Sequence, residues 1–147
     1  MARADPANLQ AQKDFAWAST SLGELLARNG DTDEAFVLLR RAAKLLEPVV
    51  AANPADVNTR SQVAGIAEGL AHAHVALGSD RTLAHATRLS HWREARARFQ
   101  DAYAFWKEMR DKGVTTGADL ARPEALALEI AKCDAAQGGD PASRERP

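Results

Sequence analysis

Residues 22–46, LGELLARNGDTDEAFVLLRRAAKLL, contain the pattern that governs the architecture of this chain. Leucines recur at three-and-four spacing in both halves, which gives each half the apolar stripe of an amphipathic helix. Gly30 between them favours the left-handed conformation that ends a helix, and Asp31 or Thr32 can cap the next one. A link this short requires the two helices to lie antiparallel. The stretch therefore predicts a helical hairpin.

The hairpin occurs twice along the chain. Residues 4–9, ADPANL, return as residues 52–57, ANPADV, at an offset of 48 that also pairs Leu22 with Leu70 and Gly30 with Gly78. Farther on the offset becomes 60, and it pairs Glu34 with Glu94, Ala35 with Ala95, Leu39 with Phe99 and Ala42 with Ala102. The change of offset places an insertion in the second copy, near residues 80–92. A repeat of this kind is typical of stacked helical units.

The predicted boundaries follow from prolines and glycines. Pro6 and Pro54 are expected to be first helical residues, with Asp5 and Asn53 as their caps. Repeat 1 covers about residues 5–52 and repeat 2 about residues 53–112. The third helix is expected to end at Gly78 and the fourth near Lys112, before Gly113. Pro48 falls inside the second helix, where its ring should kink the chain.

A shorter helix is predicted over about residues 123–137, opened by Pro123. Leu126, Ile130 and Cys133 form its expected buried face. Such a helix would cover the apolar end that a stack of hairpins otherwise leaves exposed. Residues 138–147 are polar and contain prolines and arginines, so we expect a disordered tail.

The composition excludes several classes of protein. No segment is a run of strand-forming residues, and the formal net charge of −1 gives no general attraction to nucleic acid or to an anionic membrane. The single Cys133 excludes an intramolecular disulfide, and no signal peptide or long apolar stretch is present. We expect a soluble all-α domain in the cytoplasm, or in the periplasm if it belongs to a larger membrane-anchored protein.

The two copies resemble the tetratricopeptide (TPR) family of helical repeats. The resemblance rests on Leu22-Gly23, Leu26, Gly30, Ala35, Leu39 and Ala42, and on Leu70-Ala71, His74, Gly78, Ala95, Phe99 and Ala102. It covers roughly residues 5–112 and implies antiparallel helix hairpins in a right-handed superhelix that binds a protein or peptide. The chain departs from the family in its period of 48, where TPRs have about 34, and in lacking the early aromatic at Ser19 and Ala67.

More narrowly, the long period and the segments Phe105-Trp106 and Glu129–Asp134 are similar to the C-terminal TPR-like arrays of some bacterial serine/threonine protein kinases. No kinase motif is present in this sequence. The resemblance implies the scaffold end of such a polypeptide without its enzyme, as an alternative to an independent binding protein.

No set of residues predicts catalysis, a cofactor or a metal site. His72 and His74 point in different directions on one helix, as do His85 and His91, so neither pair can share an ion. His74 is expected in the seam between helices. Cys133 lies on a predicted buried face, where burial raises a thiol pKa and makes the thiol unreactive. We predict a protein that is not an enzyme.

A binding groove is predicted where the first helices of the two hairpins line the concave surface. By resemblance and phase its residues are Trp17, Thr20, Glu24 and Arg28 of the first copy and Glu68, His72 and Val75 of the second. An exposed tryptophan is a frequent binding anchor, which singles out Trp17. Two glutamates and no lysine in this wall favour an apolar or basic segment as the ligand.

Arginines concentrated near the insertion suggest a second kind of ligand. Arg88, Arg93 and Arg96 could bind phosphate groups, an acidic peptide or, less in keeping with the overall charge, nucleic acid. The alternative is an ordinary solvated helix face.

Two hairpins are fewer than the three repeats that a stable stack usually needs. We therefore expect either a longer array or self-association through the N-terminal hairpin.

Overall fold

The structure is a computed structural model in which residues 6–138 are described. They form five α-helices: α1 (Pro6–Asn29), α2 (Thr32–Ala52), α3 (Val57–Ser79), α4 (His85–Asp111) and α5 (Arg122–Gly138), with a 3-10 turn at Gly117–Ala121 before α5. Residues 6–138 contain no strand, which confirms the all-α prediction. None of these helices combines the length and apolar character needed to cross a membrane. The predicted cap Asp5 and residues 139–147 of the predicted tail lie outside the described residues.

Glycines end two of the helices through the same backbone motif. Gly30 has a φ of 88°, and Asp31 N–H donates to the Leu26 carbonyl at 2.9 Å after α1. Gly113 has a φ of 67°, and Val114 N–H donates to the Met109 carbonyl at 2.9 Å after α4. These bonds satisfy carbonyls that the helix ends leave free. The predicted helix ends at Gly30 and Gly113 are confirmed.

The predicted start of the third helix is wrong. α3 begins at Val57, with Asp56 as its N-cap, and the Asp56 carboxylate accepts from the Thr59 N–H at 3.2 Å. Asn53 instead caps the C-terminus of α2, because that helix continues through Pro48 to Ala52. Pro54 therefore lies in the turn between the two helices. Lys13 of α1 pairs with Asp56 at 2.7 Å and ties this turn to the first helix.

Gly78 has a different role from the one expected. α3 ends at Ser79, one residue beyond the predicted end, but Gly78 is still helical and its φ is not positive, unlike those of Gly30 and Gly113. A Cβ atom at this position would lie 2.9 Å from the indole of Trp92, whose Nε1–H donates to the Gly78 carbonyl at 3.1 Å. The glycine therefore admits a tryptophan against α3. The predicted insertion near residues 80–92 forms a loop and about two turns at the start of α4 that α2 does not have.

The helices pack as two successive hairpins. α1 packs on α2, α3 packs against both of them and against α4, and α5 packs on α4. The buried residues of α2 all recur in α4 at the offset of 60: Ala35 with Ala95, Leu39 with Phe99, Ala42 with Ala102, Leu46 with Trp106 and Val49 with Met109. The predicted buried face of α5 is also confirmed, with Leu126 and Cys133 buried and Ile130 packed against the same core.

Leu39 occupies the position where α1, α2 and α3 meet. Its side chain is fully buried. A Cβ atom at Gly23 of α1 would lie 2.7 Å from Leu39 Cγ, and one at Gly69 of α3 would lie 2.8 Å from Leu39 Cδ2. Real Cβ atoms do not approach a neighbour so closely, so the two glycines are what admit this leucine.

Replacing Gly23 with alanine should therefore destabilise the protein, although alanine normally favours a helix. We expect Gly23→Ala to lower the free energy of unfolding by about 1–3 kcal/mol, because the added methyl overpacks Leu39. Gly65→Ala is the matched control, since its Cβ would lie 3.6 Å from Thr20 Cγ2 and should raise stability by up to ~1 kcal/mol. Urea unfolding of both variants tests this, and equal effects at the two positions would contradict it.

Candidate functional site

A polar groove runs between α1 and α3. Its cavity has a volume of about 490 Å³, and Trp106 of α4 and Arg122 at the start of α5 close one side. The lining includes five of the predicted groove residues, Trp17, Thr20, Glu24, Arg28 and Glu68. The residues that the sequence did not suggest are Ser21, Ser61, Gln62, Trp106, Asp119 and Arg122. The structure thus brings most of the predicted set to one surface.

Glu68 is the most constrained residue of the groove. Its side chain is 13% exposed, and its Oε1 accepts from Trp106 Nε1 at 3.0 Å and from Arg122 Nη1 at 3.1 Å. Burial raises the pKa of Glu68, and the charge of Arg122 and the indole N–H only partly oppose that rise. The carboxylate is therefore held in place by two donors while one side of it faces the cavity.

Arg122 lies across the same end of the groove. Its guanidinium carbon is 4.5 Å from the centre of the Trp106 ring, and its Nε donates to Asp119 at 2.9 Å. The Arg122 guanidinium is thus held by two carboxylates, those of Glu68 and Asp119, and by one face of the Trp106 ring. Trp106 is buried, but its N–H and one ring face also contact the polar residues of the groove.

Trp17 and Thr20 differ in what they offer a ligand. Trp17 is 64% exposed, as its predicted position requires. Thr20 is buried, and its hydroxyl donates to the Ala16 carbonyl at 2.8 Å, so the groove meets mainly its methyl group. An exposed indole presents a large apolar surface to a partner without a large loss of side-chain entropy.

A chain of polar contacts joins α1 to α3 one helical turn beyond Glu68. Arg28 Nη2 lies 2.9 Å from Glu24 Oε1 and 3.3 Å from His72 Nε2. Because arginine can only donate, His72 Nε2 is the acceptor and carries no proton. Burial, and then the charge of Arg28, lower the pKa of His72. His72 thus lies at the edge of the cavity, and Val75 packs against the core of the second hairpin.

His74 and His91 form a pair that the sequence did not suggest. Their Nδ1 atoms are 2.9 Å apart, across α3 and α4, and the edge of His74 meets the Phe36 ring in the predicted seam. Burial and the neighbouring His91 lower the pKa of His74 to about 4. Spacing along the chain could not reveal this contact, because the residues lie on different helices. Residues 6–138 bring no three potential metal ligands together.

The predicted arginine patch is divided among different surroundings. Arg96 pairs with Asp134 of α5 at 2.5 Å, whereas Arg93 is exposed. Arg88 is half-buried, and its Nε has no hydrogen-bond partner among the described residues.

Cys133 is fully buried, and burial raises the pKa of its thiol to about 11, as expected for an unreactive cysteine.

Comparison of the chain with protein-family models, with curated proteins and with solved structures gave no match. The resemblance to TPR proteins and to kinase-attached arrays therefore stays a prediction.

The histidine pair should make the stability depend on pH. A folded-state pKa near 4, below the ordinary value of 6.5, means that the unfolded chain binds a proton between these values while folded His74 does not. Stability is therefore lost as the pH falls through this window, by on the order of 1 kcal/mol between pH 7 and pH 5. The His74→Phe variant keeps an aromatic ring in the seam but cannot titrate there.

Urea unfolding of the wild type and of His74→Phe at pH 7 and pH 5 measures the effect. The raised pKa of Glu68 changes the stability in the opposite direction as the pH falls, but it does so in both proteins. Its contribution therefore cancels when the two losses of stability are compared. An equal loss of stability in the two proteins would rule out His74 as its source.

Proposed function

We propose that this chain is a non-catalytic interaction module that binds a basic peptide or protein segment in the groove between α1 and α3. The observation that carries the proposal is the arrangement around Arg122, since a guanidinium already lies there against Glu68 and over the Trp106 ring. A groove that holds its own arginine in this way has the chemistry to hold the arginine of a partner.

The remaining part of the groove fits the same kind of ligand. Trp17 offers an exposed aromatic face, and Glu24 of the same helix faces the cavity, where it pairs with Arg28 at 2.9 Å on the exposed side. Cationic side chains bind aromatic faces and carboxylates together, and tryptophan is enriched among the residues that dominate binding energy. A ligand with an arginine or lysine near an apolar residue would use both features.

A TPR-like array is the architecture that accounts best for this groove, and we propose it as the finer fold class. It is supported by the offset of 60 between the buried residues of α2 and α4, and by the packing of α3 against both α1 and α2. In such an array the first helices of successive hairpins form a continuous wall, and α5 covers the end of the last hairpin.

The groove is favoured over the arginine patch as the binding surface. Arg96 is already paired with Asp134, and Arg88 and Arg93 lie five residues apart, which separates them by about 140° around a helix. Three cations that do not converge make a weak site for phosphate or nucleic acid. A regulatory role within a bacterial serine/threonine kinase polypeptide is compatible with the groove, and a cytoplasmic location stays a prediction.

Peptide binding provides the test. A set of short peptides that each contain one arginine beside an apolar residue is compared with the same peptides carrying neutral citrulline, by fluorescence anisotropy. We expect binding only of the arginine peptides, and Trp17→Ala should weaken it roughly 30-fold, the effect of losing an anchor worth about 2 kcal/mol. Val37→Ala, an exposed position on α2 outside the groove, is the control.

Replacing the internal arginine should act in the opposite direction. In Arg122→Gln the Glu68 carboxylate and the Trp106 ring lose their own cation, so arginine peptides should bind more tightly than to the wild type. Thermal melting of each variant shows whether it is folded. Equal binding of the arginine and citrulline peptides, or weaker binding to folded Arg122→Gln, would refute the proposed recognition.

A further inference from the structure

An apolar stripe on α1 faces away from both the groove and the core. It consists of Phe15, Ala18, Leu22 and Leu25, at the spacing of one helix face. The side chains of the three large residues, Phe15, Leu22 and Leu25, are 47%, 47% and 56% exposed. Arg41 of α2 lies over the Phe15 ring at 4.8 Å, so α2 borders the same surface. Exposed apolar patches of this kind mark interaction surfaces.

The second repeat shows what such a stripe packs against. At the offset of 48 the equivalent residues of α3 are Val63, Ile66, Leu70 and Ala73. Ile66 and Ala73 are buried in the core of the first hairpin, Leu70 packs against that core, and Val63 remains partly exposed. The residues that both α1 and α3 bury are the ones that face their own hairpin partners, such as Ala16 and Ala64. The stripe is therefore the surface by which one hairpin receives another.

The opposite end of the molecule cannot supply that second hairpin. In the first hairpin Leu39, Leu46 and Val49 belong to the core that receives Ile66 and Ala73 of α3. Their equivalents in the second hairpin, Phe99, Trp106 and Met109, are buried in one cluster with Leu126 and Cys133 of α5. Since α5 occupies this end, a second copy cannot add head to tail. The α1 stripe, by contrast, is exposed in each copy and can meet the same stripe of a second copy.

We propose that the stripe of Phe15, Ala18, Leu22 and Leu25 is a self-association surface, which pairs with the same stripe of a second copy about a two-fold axis. Such an isologous contact closes on itself and yields a dimer, not a filament. The net charge of −1 leaves little repulsion between two copies. Trp17 lies on another face of α1, so the groove stays open in the dimer and the two proposals can fail separately.

Sedimentation velocity of the whole chain over about 1–100 µM tests the proposal, a range that spans micromolar dissociation constants. We expect a species of twice the chain mass of 15.8 kDa. Leu22→Glu together with Leu25→Glu should leave a folded monomer, because the new carboxylates would meet across the axis. Leu128→Glu on α5, where the leucine is 66% exposed, is the matched control and should stay dimeric. A wild type that is monomeric throughout, or a dimer that only Leu128→Glu disrupts, would overturn the proposal.

Cysteine cross-linking tests the symmetry without relying on the charged variant. Ala18→Cys and, separately, Leu22→Cys place a thiol near the proposed axis, while the native Cys133 is buried and should not react. Oxidation should link one or both variants into covalent dimers, and Leu128→Cys should remain uncross-linked. Absence of cross-linking at both stripe positions, or linkage at Leu128→Cys instead, would contradict a two-fold contact through α1.

Discussion

The contact of Leu39 with Gly23 and Gly69 is the constraint on which the other features depend. One leucine of α2 enters the space between α1 and α3, and the two glycines allow both helices to approach it. α1 and α3 are thereby held side by side, with their polar faces turned to the same region of solvent. The groove follows from this arrangement, because its two walls are the faces of α1 and α3 that lie beside the leucine contact.

The second hairpin meets the same requirement with different side chains. Phe99 occupies the position equivalent to Leu39 and is also fully buried, and Ala71 stands where the first hairpin has Gly23. The larger side chain is accommodated on its other side by α5, which has no glycine-mediated contact of this kind. The repeat therefore conserves a position and its burial, while the shape that fills the position differs between the copies.

The sequence predicted what depends on neighbours along the chain and missed what depends on distant ones. Leucine spacing and Gly30 predicted α1 and α2. The resemblance to TPR arrays, combined with the phase of the first helices, predicted that Trp17, Glu24 and Glu68 share one surface. The start of α3 was missed because two signals competed: Pro54 resembles a first helical residue, but the end of α2 and the Asp56 cap prevailed.

The remaining misses share one physical cause. α3 ends beside Gly78 as predicted, but only Trp92, fourteen residues later, explains why that position has no side chain. His74 and His91, and likewise Glu68 and Arg122, meet because two helices place them together. No periodicity contains such contacts, because periodicity fixes the face on which a residue lies and not the residue opposite it.

The division of α1 into three faces connects the fold with its proposed roles. Small residues, Ala16 and Gly23 among them, face the core, where they let helices touch; Trp17 and Glu24 face the groove; and Phe15 and Leu22 face neither. A helix needs only one apolar face to remain folded in a hairpin. The groove contains Glu68, whose burial costs solvation free energy, and the stripe on another face of α1 exposes apolar side chains to water. Neither feature is needed for the hairpins to fold. α3 buries the residues equivalent to that stripe against a neighbouring hairpin. The exposed apolar residues of α1 therefore have the composition of a contact surface.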